Sequence, residues 1–249
     1  MKIWALSDPH LSLGIEGKKM DIFGPQWTSH DEKIAKHIRA CVQETDILLI
    51  PGDLSWAMKI EDAKKDLDFI GSWPGIKLIC KGNHDYWWPS NKKLMEALPP
   101  SVISVQGTAY DNEYISVVGV RLWDNQEFNF DTIIDYRPNP KKNVDKALNS
   151  EENEKIFLKE LHKLEEGLKL LDQTKYKILL CHYPPLGTNL SPSRASKLIE
   201  NYGVDLCVFG HLHNVKPIKS LFGKVNKTRY VLTSCDYLDF DPILLEEFF

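Results

Sequence analysis

The sequence predicts an α/β fold, and two periodicities within its 249 residues support this prediction. Short apolar runs typical of buried strands recur at 2–7, 47–50, 76–80, 115–122, 177–181, 205–209 and 230–233. Between several of these runs, apolar residues repeat at three- and four-residue spacing, as they do along one face of a helix. Strands that alternate with amphipathic helices predict βαβ units and a sheet that is covered by helices.

Three segments carry the helical pattern. The apolar positions are Ile34, Ile38 and Val42, then Ile60, Ala63, Leu67 and Ile70, then Phe157, Leu161, Leu164, Leu168 and Leu171. Ser29 and Glu32 have the spacing of a capping box, which predicts that the first of these helices begins just after Ser29. The charged stretch 149–169 is interpreted as the polar face of the last one.

Composition narrows the class of protein. Hydrophobic residues make up 43% and charged residues 27%, as in soluble globular proteins. The net charge of −4 lacks the basic footprint of a protein that coats nucleic acid, so duplex DNA or RNA is not an expected partner. No apolar run reaches the roughly 18 residues of a membrane span, and the start lacks a secretory signal. The five cysteines show no CxxC pairing and are interpreted as reduced thiols, so we expect a cytoplasmic protein without membrane contact.

One segment interrupts the alternation of strands and helices. Residues 124–154 are rich in Asn, Asp, Lys and Pro, with Arg137-Pro138-Asn139-Pro140 near the centre. A loop of this length is usually functional or mobile, so the segment is either a lid or an inert surface excursion. We otherwise expect residues 1–249 to form a single domain.

Polar side chains with metal-binding chemistry follow five of the predicted strands, at the point where each strand ends. They are Asp8 and His10, then Asp53, then Asn83 with His84 and Asp85, then His182, then His211 and His213. In open α/β sheets, ligands bind beyond the carboxyl ends of the strands, so these side chains are expected to meet. Glycines that precede several of them permit a sharp turn and a close backbone approach.

The donor types indicate a site for two metal ions. Seven oxygen and nitrogen donors are available: Asp8, His10, Asp53, Asn83, His182, His211 and His213. That number exceeds the needs of one transition ion and suits two ions that share a carboxylate. Imidazole and carboxylate together are compatible with Mn, Fe, Zn or Ni, and the choice among these ions stays open.

These five motifs, in this order, resemble those of the calcineurin-like metallophosphoesterases. Each motif alone is weak, whereas the ordered set along nearly the whole chain is specific. The resemblance implies a four-layer α/β/β/α sandwich, with two mixed sheets flanked by helices and a dinuclear site at one sheet edge. It implies one ion held by Asp8, His10, Asp53 and His213 and a second held by Asp53, Asn83, His182 and His211. It makes His84 the proton donor and Asp85 the group that orients its ring.

The same resemblance implies hydrolysis of a phosphoester by a hydroxide that bridges the ions. Protein Ser/Thr phosphatases of this superfamily follow the second motif with an acidic residue and an arginine. Here Asp53 is followed by Leu54-Ser55-Trp56-Ala57, and the third motif ends in Asp85 instead of glutamate. We therefore expect a small phosphoester substrate, a diester more than a monoester. Two alternatives stay open: a nuclease of the same superfamily, and a scaffold without catalysis, although every ligand position is filled here.

Three further side chains are candidates for substrate binding. Trp87, within Tyr86-Trp87-Trp88, follows the third motif and can stack on a flat group, although such aromatic residues more often pack in a core. Arg121 and Arg194 can clamp phosphate oxygens, although a solvated arginine is the ordinary alternative. The histidines outside the motifs, His30, His37 and His162, are predicted to be solvated and without a role.

Overall fold

The computed structural model describes residues 1–135, 149–218 and 221–249, and these contain eleven strands and five helices. The strands are β1 (Lys2–Ala5), β2 (Ile47–Ile50), β3 (Ile76–Ile79), β4 (Val102–Ser104), β5 (Ala109–Asp111), β6 (Ile115–Val120), β7 (Tyr176–Cys181), β8 (Leu206–Phe209), β9 (Lys224–Val225), β10 (Thr228–Leu232) and β11 (Ile243–Glu247). The helices are α1 (His30–Cys41), α2 (Ile60–Gly71), α3 (Asn91–Ala97), α4 (Ser150–Leu168) and α5 (Arg194–Asn201), with short 3-10 turns at Met20–Phe23 and Pro25–Trp27.

The strands form two mixed sheets, as expected. The first sheet has the order β11-β1-β2-β3-β4, and the second has the order β5-β6-β7-β8-β10-β9. The central strands of each sheet are parallel, whereas β11, β5 and β9 pair antiparallel at the edges. Parallel strands direct all their carboxyl ends to the same edge of a sheet, which is where the polar motifs lie.

Side-chain alternation along β2 shows how the layers stack. Ile47 and Leu49 belong to a buried cluster that draws residues from both sheets and fills the space between them. Leu48 and Ile50 point the other way, into a cluster that includes apolar residues of α1 and α2. A third cluster joins the outer face of the second sheet to α4 and α5. Because successive strand residues face opposite sides, each sheet is covered on both faces, and the result is the four-layer sandwich.

Backbone hydrogen bonds join the two sheets just beyond the end of β1. The amide of Ser7 donates to the carbonyl of Thr233 over 2.7 Å, and the amide of Cys235 donates to the carbonyl of Ser7 over 3.0 Å. These bonds form a parallel bridge between the chain that leaves β1 in the first sheet and the chain that leaves β10 in the second. The carboxyl edges of both sheets are therefore held against each other at this point.

Two local predictions about helix starts and histidines were wrong. Ser29 does precede α1, but its backbone is left-handed, with φ 49°, and its side chain makes no cap hydrogen bond. A capping serine needs extended backbone, so the expected capping box is not formed there. His30 is buried instead of solvated, because its two ring nitrogens lie 3.1 Å from the Trp27 carbonyl and 2.9 Å from the Pro9 carbonyl.

The segment 124–154 is only partly a loop. Residues 150–154 form the first turn of α4, which Asn149 and Glu152 cap reciprocally. Residues 136–148, including Arg137-Pro138-Asn139-Pro140, lie outside the described residues, so a lid stays a prediction. Within the part of the chain that the structure describes, every helix is too short or too polar for a membrane span.

Candidate metal centre

The predicted motifs lie together beyond the carboxyl ends of strands from both sheets. Their residues follow β1 (Asp8 and His10), β2 (Asp53), β3 (Asn83 and His84), β7 (His182) and β8 (His211 and His213). Asp8, His10 and His213 form one group whose ligand atoms all lie within 4.8 Å of one another. Asp8, Asp53 and His182 form a second group of the same kind. Side chains that are far apart in sequence thus converge on one point.

The backbone at this site is strained. Asp8, His10, Asp53 and His211 adopt left-handed conformations with φ values of 57°, 44°, 54° and 71°. Non-glycine residues in this region cost of order 1–3 kcal/mol each, and such strain persists where the surrounding structure imposes it. Here it turns four of the predicted ligands out of their strand directions and toward one another.

Two glycines allow the loops to approach the buried carboxylates. A Cβ atom on Gly82 would overlap the carboxylate of Asp53, and a Cβ atom on Gly210 would overlap that of Asp8. Any side chain at these positions would push the loops after β3 and β8 away from the site. The glycines of the third and fifth motifs are therefore required by close approach.

His213 is held by a carboxylate that sequence analysis missed. Its Nδ1–H donates to Asp236 Oδ1 over 2.8 Å, and Asp236 also accepts from the backbone amide of Asn214. This bond leaves His213 Nε2 facing inward, 3.1 Å from Nε2 of His10 and 3.7 Å from Oδ1 of Asp8. A carboxylate behind a histidine is the usual support of a metal ligand, because it fixes the ring and raises its basicity.

His182 is oriented in the same way by a backbone carbonyl. Its Nδ1–H donates to the Pro51 carbonyl over 3.0 Å, so only Nε2 can bind a ligand. That Nε2 lies 2.6 Å from Asn83 Oδ1 and 3.5 Å from Asp53 Oδ2. Asn83 Oδ1 also lies 2.9 Å from Nδ1 of His211. The contact between the two acceptors, Nε2 and Oδ1, is favourable only with a cation or a proton between them.

Burial raises the pKa of both aspartates at the centre. Burial brings the pKa of Asp8 to about 6, although His213, Ser7 and the amide of His211 lower it. Burial, with the neighbouring carboxylates of Asp85 and Asp8, raises the pKa of Asp53 well above its usual range. Two buried carboxylates in one site need positive charge beside them to stay ionised.

The histidines around these carboxylates are poised as neutral ligands, with one exception. Burial lowers the pKa of His10 and of His182 well below the usual value and that of His211 to about 3. Burial also opposes the charge on His213, but the nearby carboxylates, with Asp236 first, raise its pKa to about 9. Neutral imidazole nitrogens and carboxylate oxygens are the donors that first-row divalent metals bind, so the residues fit metal ions.

Asp85 holds two of the site's loops together. Its buried carboxylate accepts hydrogen bonds from five donors: the amides of Asp53, Leu54, Ser55 and Gly82 and the indole N–H of Trp87. These bonds fill the roughly four lone-pair positions of a carboxylate. Asp85 is thus an anchor between the loops after β2 and β3, and its expected role of orienting the His84 ring stays a prediction.

The sequence profile of the calcineurin-like phosphoesterases matches residues 1–215 of this chain. This protein belongs to the calcineurin-like phosphoesterases. The family is metal-dependent, which agrees with the Asp and His groups at the edge of the two sheets. A search of curated proteins finds no significant match.

Solved structures share the fold of this calcineurin-like phosphoesterase at low sequence identity. Phosphopantetheinyl hydrolase (PptH) from Mycobacterium tuberculosis is 15% identical with a TM-score of 0.52, over 96% of this chain and 91% of that chain. The protein of unknown function AQ665 from Aquifex aeolicus is 15% identical with a TM-score of 0.50, over 98% of this chain and 95% of that chain. At this identity the similarity concerns the fold alone.

Trp87, one of the candidates for substrate binding, is buried in the core. It is 2% exposed, packs in the cluster under α1 and α2, and donates its indole N–H to Asp85. Trp56, from the loop after β2, does place an aromatic ring beside the centre, where it stacks on His10 at 5.0 Å and lies 4.4 Å from the ring of His84. Trp56 lies three residues after Asp53 in the sequence, and this closeness to a predicted ligand is the signal that could have found it.

Both candidate arginines are paired with carboxylates of the protein. Arg121 donates to Glu160 over 3.1 Å and stacks on Trp123. Arg194 forms ion pairs with Glu127 and Glu154. These guanidinium groups tie α4 and α5 to the loop after β6, and a role for them in clamping phosphate stays a prediction.

We predict that Asp85→Asn destabilises the protein. An asparagine offers one acceptor oxygen where five donors converge, so we expect the free energy of unfolding to fall by roughly 3 kcal/mol. Urea unfolding of the chelator-treated protein measures this change. Asp68→Asn on the exposed face of α2 is the matched control and should change the value by less than about 0.5 kcal/mol. A neutral effect of Asp85→Asn would contradict the anchoring role.

We predict that Asp236→Asn weakens metal binding without removing a ligand. Loss of the carboxylate behind His213 should reduce the affinity for Mn²⁺ or Zn²⁺ by about 10- to 100-fold. Calorimetric titration of the metal-free protein measures the affinity. Asp241→Asn, the same substitution on a nearby exposed residue, should bind as the unchanged protein does. Equal affinities for the two variants would exclude a supporting role for Asp236.

We predict that metal binding releases a proton from His213. With a pKa of about 9, His213 is protonated near neutral pH in the metal-free protein, facing Asp236, Asp8, Asp53 and the neutral His10. The metal needs the neutral ring, so affinity should rise as pH rises, by about tenfold per pH unit between 7 and 9, and then level off. Titrations in buffers with different ionisation heats count the proton. A pH-independent affinity would refute this linkage.

Proposed function

We propose that this protein is a dinuclear metal-dependent hydrolase that cleaves a small phosphoester. The observation that carries the proposal is the position of Asp53 between two sets of histidines. Its Oδ2 lies 3.7 Å from Nε2 of His10 and 3.5 Å from Nε2 of His182. A carboxylate so placed suits two ions that share it as a bridge.

The proposed ligand sets are those that the family resemblance implies. Asp8, His10, Asp53 and His213 would hold the first ion, and Asp53, Asn83, His182 and His211 would hold the second. When bound, two such ions supply a nucleophile at neutral pH and positive charge for the phosphoryl oxygens. The chain contributes the fixed geometry. Asp236 orients the ring of His213 and the Pro51 carbonyl orients the ring of His182, so that Nε2 of each ring faces inward.

His84 is the proposed proton donor to the leaving oxygen. Its ring is half-buried beside the rings of His10 and Trp56, at centroid distances of 5.6 and 4.4 Å. Its backbone amide donates to Asp53 Oδ1 over 2.8 Å, so the position of His84 is tied to the proposed bridging carboxylate. A histidine in this position can give a proton to the departing alcohol.

We propose a small substrate because the residues that would bind a large one are either missing from the sequence or paired with other residues of the protein. Trp56 occupies the region where related protein phosphatases have charged residues, and Arg121 and Arg194 are paired with glutamates. The net charge of −4 does not favour a duplex. The ligand set serves monoesters and diesters alike, and we propose a diester first.

We also propose a cytoplasmic location, in which the five free cysteines stay reduced.

Activity on four substrate types tests this proposal. The protein is loaded in turn with Mn, Fe, Zn or Ni and assayed on a nitrophenyl diester, a nitrophenyl monoester, a phosphopeptide and duplex DNA. We expect hydrolysis of the small esters and none of the phosphopeptide or duplex.

Asp53→Ala should abolish hydrolysis and, by elemental analysis, lose more than one equivalent of metal. Retention of two equivalents would contradict the bridge, and rapid cleavage of duplex DNA would contradict the substrate class.

We predict that His84→Ala lowers turnover in a way that depends on the leaving group. Loss of a general acid typically costs about 10²- to 10⁴-fold, so this loss is expected for alkyl esters. Nitrophenyl esters should lose far less, because nitrophenolate departs without a proton. Metal content should be unchanged. His162→Ala, on the exposed surface of α4, is the control and should behave as the unchanged protein does. Equal losses for both leaving groups would assign His84 another task.

A further inference from the structure

A cavity of about 170 Å³ opens directly beside the metal centre. One side of it is apolar and is lined by Met20, Phe23, Trp27 and Trp56. The first three of these belong to the 3-10 turns of the segment between β1 and α1, and Trp56 belongs to the loop after β2. Pockets that recognise small molecules have this composition, with mostly apolar walls and a few polar groups.

The other side of the cavity is formed by the centre itself. His10 and His213, two of the proposed ligands, line it together with the proposed proton donor His84. A group bound here would therefore lie next to the atom that donates the proton. In hydrolysis of a phosphoester, that is the position of the departing alcohol.

The apolar wall is held in place by the fold. Trp27 is 2% exposed and packs edge-on against His30 and Phe240. The indole N–H of Trp56 points to the sulfur of Met20 at 3.1 Å. A wall that is already ordered costs little conformational entropy when a ligand binds to it.

The wall continues outward from the centre. A second cavity of about 230 Å³ shares Met20, Phe23 and Trp56 with the first and extends along Lys18 and Lys19. Lys18 Nζ donates to the Trp56 carbonyl over 3.1 Å. The apolar surface is therefore long enough for a group larger than a single methyl or ethyl, with basic side chains at its outer end.

We propose that this cavity binds the leaving alcohol of the substrate and that this alcohol carries a flat apolar group. The proposal rests on the proposed function, because it assigns the departing group of that reaction to the wall of Met20, Phe23 and Trp56. Aromatic rings favour edge-on or offset contact with another ring, which a benzyl-like or base-like group provides. The proposed specificity thus lies in the segment between β1 and α1 together with Trp56 of the loop after β2.

Esters of benzyl alcohol and methanol test the proposal, because the two alcohols are of nearly equal acidity. Benzyl and methyl esters of the same phosphate are compared by kcat/KM with the metal-loaded protein, as monoesters and as methyl diesters. The unchanged protein should prefer the benzyl ester by about tenfold or more. Phe23→Ala should reduce this preference at least about fivefold, and Phe23→Tyr, which keeps the aromatic ring, should retain most of it. Leu158→Ala, exposed on α4, is the control and should leave the preference unchanged.

A binding measurement separates this proposal from the proposed function. Calorimetry with benzylphosphonate and methylphosphonate, which are not hydrolysed, should show the same preference and the same loss in Phe23→Ala. Ester hydrolysis without a benzyl preference would overturn the cavity assignment and leave the hydrolase proposal standing. Benzyl-selective binding that Phe23→Ala removes, without hydrolysis of any ester, would support the cavity and overturn the hydrolase. Equal binding of the two phosphonates would also overturn the cavity assignment.

Discussion

Two buried carboxylates, Asp8 and Asp53, stand side by side where the two sheets meet, and the surrounding structure compensates for their charge. Burial raises the pKa of both, so each needs a nearby cation to remain ionised. Neutral histidine nitrogens from the second sheet, His182 and His211, face the same point. Ionised carboxylates are unfavourable when they are buried without positive charge, and neutral imidazoles have a nitrogen lone pair free to bind a cation. Together they form a site that metal ions stabilise.

The backbone conformation at this site is energetically unfavourable, and contacts within the sandwich hold it in place. Left-handed backbone at several ligands is unfavourable, and it persists because the loops are bound to one another. The bridge between Ser7 and Ser234 joins the sheets, and the Asp85 carboxylate gathers the loops after β2 and β3. Asp236 and the Pro51 carbonyl then orient individual histidines. The strands, the loops and the histidine rings are thus all held in place before a metal ion binds.

The side chains near the site divide into groups that serve the fold and groups that are available to a substrate. Arg121 and Arg194 satisfy glutamates, and Trp87 supports Asp85 from the core. The surface left beside His84 is aromatic, with Trp56 at its centre. This combination of a charged centre and an apolar side supports our proposal of a compact phosphoester with an apolar substituent.

The sequence by itself determined the layered α/β architecture and the seven candidate ligands. Alternation along a strand and the residues that follow its end are local properties, so 47–50 matches β2 and Asp53 follows it. The same rule, applied after the run 230–233, would also have found Asp236. Only the tertiary structure decided that Trp87 is buried while Trp56 lines the site, and that Arg194 meets two glutamates. Those outcomes depend on which side chains meet across separate elements, and no local pattern in the chain encodes that contact.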